Sequence, residues 1–244
     1  MKNCMCRRNP LTLSHRSMRA IACVDALLFV LLASASAFAA RPVSMPEEIE
    51  WTWEVRPPHP DRNLPNVLLL GDSITRNYFP KVTKDLAGVA NVYLMAVSTS
   101  VGDPRLSRQI AEFSIMERIS FRVVHFNNGM HGWAYSEAQY KEAFPKYLRT
   151  LRGTFGPVAE LIWATTTPVR ADATGGATNP RVDARNMIAD AFVHSMRIAI
   201  DDQHGLMMMH QNLHDDPIHF NPAGADIQGD QAADCIRAAL ARTH

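Results

Sequence analysis

The sequence predicts an α/β protein whose mainly parallel, five-stranded sheet is covered by helices on both faces. Short apolar runs recur at residues 67–70, 92–97, 121–126, 161–164 and 197–200, each too short for a helix and bounded by polar residues or by glycine and proline. Longer stretches with helical spacing lie between them, at about 78–87, 105–118, 136–152 and 182–196, and Pro222 opens a last helix to about Arg242. Strand and helix thus alternate five times, and a parallel connection needs a crossover of this length. A chain of 244 residues, 47% hydrophobic and 20% charged, is not collagen-like, coiled-coil or disordered in class, and suffices for one globular domain.

The first forty residues read as a secretory signal peptide. Lys2, Arg7, Arg8, Arg16 and Arg19 precede an apolar run over 20–32, and a small-residue stretch follows over 33–40. Ala37-Phe38-Ala39 fits the small-x-small rule, which sets the cut after Ala39 or Ala40. A retained anchor is the alternative, but Asp25 interrupts a run already short of the roughly 20 residues a span requires. Translation starts at Met1 or at Met18, and either start predicts export to the periplasm or beyond, with no stable membrane association after cleavage. Cleavage removes five of the 25 basic and one of the 24 acidic residues and leaves a formal charge of −3. No basic patch remains to attract nucleic acid. Cys4, Cys6 and Cys23 leave with the leader, so the mature chain keeps Cys235, read as a buried thiol in the final helix, and forms no internal disulfide.

Residues 41–65 hold Pro42, Pro46, Pro57, Pro58, Pro60 and Pro65 together with Trp51 and Trp53, a composition for an extended lead-in on the surface of the domain formed by 66–244. Within that domain, ligands of a parallel sheet bind beyond the carboxyl ends of the strands. The loops to inspect are therefore 71–76, 98–104, 127–133, 165–179 and the segment after Ile200.

The first of these is Gly71-Asp72-Ser73-Ile74-Thr75, where a serine stands at the junction of strand and helix. Free N–H groups and the positive end of the helix dipole suit a nucleophile whose attack creates an oxyanion. Alternatively, Asp72, Ser73 or Thr75 caps the helix. Near the C-terminus, Asp216-Pro217-Ile218-His219 offers a carboxylate and an imidazole from one turn, the Asp fixing the tautomer that leaves the other nitrogen as a base. The third strand ends in Asn127-Asn128-Gly129-Met130-His131, whose amides are either donors to an oxyanion or members of an Asn-Gly turn.

In this order the features resemble the SGNH hydrolase superfamily, the GDSL esterases and lipases. Gly71-Asp72-Ser73-Ile74 stands as its first block and Asp216–His219 as its last. The resemblance implies a flavodoxin-like three-layer α/β/α sandwich and a cofactor-free serine esterase with Ser73 as nucleophile, His219 as base and Asp216 as its orienting partner. It further implies an oxyanion hole from the Ser73 N–H, the glycine of the second block, Gly102, and an asparagine. The usual G-x-N-D of the third block is here replaced by Asn127-Asn128-Gly129, so Asn128, or failing that Asn127, takes that role. Asp72, His131 and Trp133 are candidates for contact with a small or glycan ester substrate, Trp133 as a hydrophobic or sugar-stacking wall.

Two rival readings remain. His204, His210, His214 and His219 crowd the last fifth of the chain, and His210 and His214 have helical spacing, but the glutamate of a metalloprotease helix is missing, so no metal site is expected. The other rival is a secreted carbohydrate-binding protein that has lost activity on the same fold.

Overall fold

The computed structural model describes residues 43–242. The expected leader and cleavage site, with Cys4, Cys6 and Cys23, lie outside these residues. The strands are β1 (Thr52–Val55), β2 (Asn66–Gly71), β3 (Asn91–Val97), β4 (Val123–Phe126), β5 (Glu160–Ala164) and β6 (Ala199–Asp201). The helices are α1 (Ser73–Asp85), α2 (Arg105–Glu117), α3 (Glu137–Phe155), α4 (Asn179–Ser195), the short α5 (Gln203–Met208) and α6 (Pro222–Arg242).

The sheet has six strands in the order β1-β3-β2-β4-β5-β6, not the five expected. Strands β3, β2, β4, β5 and β6 are parallel, which is the 2-1-3-4-5 order of flavodoxin-like sheets. The added strand is β1, antiparallel to β3 from Thr52 opposite Val97 to Val55 opposite Leu94. It was hidden in the lead-in because six prolines dominate that segment's composition, yet none falls between Pro46 and Pro57, where the strand forms. Prolines at its borders cost no ladder hydrogen bond. The last strand also shifts: Arg197 adopts a left-handed φ of 54° and closes a turn on α4, so the strand begins at Ala199 instead of Arg197.

Alternation along the strands builds the three layers. Leu68 and Leu70 face one side with Met95, Val124 and Trp163, against Ile110 and Phe113 of α2, Phe144 and Leu148 of α3 and Val193 of α4. Val67 and Leu69 face the other with Leu94 and Ile162, against Tyr78 and Val82 of α1 and Ala232 and Ile236 of α6. Near-continuous apolar strands are the pattern expected when both faces of a parallel sheet are buried. Cys235 is buried on the α6 side of this core. Among the described residues no helix is long and apolar enough to cross a membrane.

Candidate active site

In this strand order the topological switch lies between β2 and β4, whose outgoing chains cover opposite faces of the sheet. Residues 71–76 leave β2 there and residues 127–133 leave β4. Asp72 is the N-cap of α1, its Oδ1 accepting the Ile74 N–H at 2.9 Å. Capping is thereby taken by Asp72, and the Ser73 hydroxyl is left for another partner. That partner is His219, whose Nε2 lies 2.7 Å from Ser73 Oγ across 146 residues of sequence.

The imidazole is held from behind. Asp216 Oδ2 lies 2.7 Å from His219 Nδ1, while Asp216 Oδ1 accepts the backbone N–H of both Ile218 and His219 at 2.7 Å. A carboxylate can only accept, so Nδ1 carries the proton and Nε2 faces the serine as an acceptor. Partial burial pushes the Asp216 carboxyl up, but the His219 and Ile218 N–H groups and the imidazole outweigh it and hold the pKa at about 2. The turn itself is fastened by Arg170 N–H donating to the Pro217 carbonyl at 2.9 Å and by the bridge between His214 and Phe220. Ser73 is 9% exposed and the His219 side chain 29%, so an incoming molecule reaches both.

The asparagines are employed differently from each other. Asn127 donates through Nδ2 to the Ala164 carbonyl at 2.7 Å and to Thr166 Oγ1 at 3.2 Å, which engages both of its amide hydrogens. Asn128 accepts the Val101 N–H at 2.7 Å and donates to the Thr99 carbonyl at 2.9 Å, which ties the loop after β4 to the loop after β3 and leaves one amide hydrogen over. The Gly102 N–H turns toward Ser100 Oγ at 3.3 Å. Gly102 is glycine for packing, since a Cβ would come within 2.7 Å of the Tyr135 ring.

His131 and Trp133 also have partners within the protein. His131 Nδ1 meets Glu47 Oε2 at 2.9 Å, and the Trp133 ring centroid lies 3.9 Å from the Arg185 guanidinium and 5.0 Å from that of Arg181. Arg185 is 1% exposed and donates to the carbonyls of Gly129, His131, Gly132 and Tyr135. Sequence reasoning missed it, because an arginine within a helix looks like a solvated residue. His210 and His214, though helically spaced, lie in no common helix: α5 ends at Met208, and the His214 ring stacks on Phe220 with centroids 4.1 Å apart. Among the described residues no three His, Cys, Asp or Glu side chains come together as a metal site.

This fold recurs in solved structures. A protein from Slackia heliotrinireducens described as an SGNH hydrolase superposes with a TM-score of 0.55 at 18% identity, covering 71% of this chain and 100% of that one. A GDSL-like lipase from Bacteroides thetaiotaomicron gives 0.56 at 14% identity, covering 74% and 92%.

The fold is that of the SGNH hydrolases.

A third similar structure is the C-terminal catalytic domain of the peptidoglycan O-acetyltransferase A of Streptococcus pneumoniae, solved with a methylsulfonyl adduct, with a TM-score of 0.52 at 17% identity and coverage of 72% and 95%. No family model matches the sequence, and no curated protein matches it. The three-layer SGNH architecture expected from the sequence is therefore found, with one antiparallel edge strand more than expected.

Proposed function

We propose that this protein is an exported serine esterase that removes short acyl groups, acetyl foremost, from ester-bearing glycans or small molecules. The observation that carries the reading is the relay Asp216–His219–Ser73, with 2.7 Å at each link. His219 Nε2 takes the proton of Ser73 Oγ as the oxygen attacks the ester carbonyl, and the imidazolium that forms is stabilised by Asp216. The tetrahedral oxyanion sits at the N-terminus of α1, where the N–H of Ser73 has no partner within the helix. Gly102 and the remaining amide hydrogen of Asn128 are the further donors, once the loop after β3 turns its N–H toward the substrate. His219 then protonates the leaving alkoxide, and a water deprotonated by the same nitrogen releases the acyl group. No step calls for a cofactor.

The leader over residues 1–40 supports an extracytoplasmic substrate, and acetylated cell-wall or environmental glycans are the class that export makes available. A second reading is favoured by the likeness to an O-acetyltransferase domain: the acyl-enzyme passes its acetyl group to a sugar hydroxyl instead of water. Turnover of p-nitrophenyl acetate by wild type and Ser73→Ala, with and without an added glycan acceptor, tests both. Serine-dependent release of acetate supports the esterase. Serine-dependent formation of acetylated glycan supports transfer, and turnover unchanged in Ser73→Ala refutes both.

A further inference from the structure

Glu47 and Glu50 stand three residues apart ahead of β1, and each reaches a different loop beside Ser73. Glu47 Oε1 accepts the Gly132 N–H at 2.9 Å and its Oε2 meets His131 Nδ1 at 2.9 Å, both on the loop after β4. Glu50 Oε2 accepts the hydroxyls of Ser98 at 2.8 Å and Thr99 at 3.2 Å, and its Oε1 pairs with Arg105 at 3.0 Å, all on or just past the loop after β3. The two residues are themselves joined, since the Glu47 backbone N–H donates to Glu50 Oε1 at 2.9 Å. Ser44 Oγ donates to Asp103 at 2.6 Å, the Met45 N–H to the Tyr135 hydroxyl at 2.7 Å and the Trp51 N–H to Ser98 Oγ at 2.8 Å.

Strands β3 and β4 flank β2, so these are the loops on either side of the one that carries Ser73. A segment read from its prolines as a surface lead-in thus binds both walls of the site to one another. Neither carboxylate touches the Ser73–His219–Asp216 relay. Their partners are loop hydroxyls, a loop N–H, an imidazole and an arginine, all groups that set where the loop backbones lie.

We propose that Glu47 and Glu50 are positioning residues that hold the two loops flanking Ser73 in the arrangement that acyl transfer requires. This rests on the esterase reading. Catalysis is sensitive to such placement, a displacement of about 1 Å costing on the order of 100-fold in rate. Because the loops stabilise developing charge more than they bind the ground-state ester, the loss falls on kcat and not on KM.

The test uses the full chain with Glu47→Ala, Glu50→Ala, Glu50→Gln and Ser73→Ala, each checked for folding by circular dichroism and assayed on p-nitrophenyl acetate well below its unfolding temperature. The expected result is a loss of kcat of about 10- to 100-fold in the two alanine variants with KM nearly unchanged. Glu50→Gln, which keeps an oxygen for Ser98 and Thr99, recovers most of that loss. Folded alanine variants with wild-type kcat overturn the proposal and leave the esterase reading standing. Should an alanine variant fail to fold, Glu47→Gln decides, because Glu47 uses one carboxylate oxygen on Gly132 and the other on His131 and an amide keeps only one of the two: wild-type kcat refutes positioning, and a selective kcat loss supports it. Wild-type turnover that is absent or survives Ser73→Ala removes the esterase reading, and the proposal with it.

Discussion

His125 Nε2 lies 2.8 Å from Asp201 Oδ2, and both side chains are wholly buried between β4 and β6. Asp201 is further held by Gln203 at 2.9 Å and Gln231 at 2.7 Å, and the Tyr78 ring meets His125 edge-on. Among the described residues this pair and His219–Asp216 are the two His–Asp pairs closer than 3.0 Å. One is sealed in the core, while the other faces solvent beside a serine. Distance alone does not set the two apart; exposure and the third partner do.

The buried pair is expected to matter for stability and not for turnover. Asp201→Ala removes an acceptor from His125, Gln203 and Gln231 at once, and breaking a buried pair on one side costs about 3–5 kcal/mol. Urea unfolding should show that loss, while kcat at a temperature where the variant is folded stays within a few-fold of wild type.

Within the exposed pair the roles are unequal. Asp216 orients an imidazole that Ser73 and the turn also position, so Asp216→Ala is expected to retain roughly 10- to 100-fold more turnover than Ser73→Ala or His219→Ala. Initial rates on an activated acetyl ester for the three variants measure this, and equal losses would count against the assignment.

The depressed Asp216 pKa has a consequence for acid stability. A carboxyl at about 2 in the folded protein and near its ordinary value in the unfolded chain contributes stability that is fully present above the unfolded value and is lost as pH falls toward about 2. Half of the Asp216 side chain is exposed, so solvent and salt reduce the size of the effect. Asp216→Asn is expected to flatten the fall of the unfolding temperature between about pH 4 and 2, and thermal scans in low salt across that range test it.

Arg185 is expected to be the most costly single cation to remove. Burial pulls its pKa down to about 10, leaving it charged at neutral pH, and four carbonyls of the loop after β4 accept from it. Arg185→Met fills much of the volume but leaves the Gly129 and His131 carbonyls without their donor, while Gly132 and Tyr135 keep the Tyr135 N–H and Arg181, a loss of about 2–4 kcal/mol. Denaturant unfolding should register it, accompanied by a fall in kcat because His131 and Gly132 lie on the same loop.

The strand–helix alternation was legible in the sequence because it depends on local chemistry, whereas Ser73, Asp216 and His219 were locally ambiguous and became candidates through the resemblance of their blocks to a known family. Apolar runs such as Val67-Leu68-Leu69-Leu70 report burial on both faces, a serine after a strand reports a helix N-terminus, and Asp216 and His219 meet within one turn. The meeting of Ser73 with His219 is different in kind. It spans 146 residues and exists because β2 and the turn before α6 end on the same edge of one sheet. Likewise, composition hid β1, Glu47 and Glu50, because prolines set the average of a segment whose hydrogen bonds are made to distant loops. The resemblance ranked Asn128 ahead of Asn127, and their neighbours give the physical difference, Asn127 spending both amide hydrogens on Ala164 and Thr166 while Asn128 bridges two loops. Sequence by itself determined the central strands and helices and the chemical types on offer, since those follow from periodicity and local geometry; the tertiary structure alone decided the edge strand and which of those groups touch, since contact across a sheet depends on strand order and register.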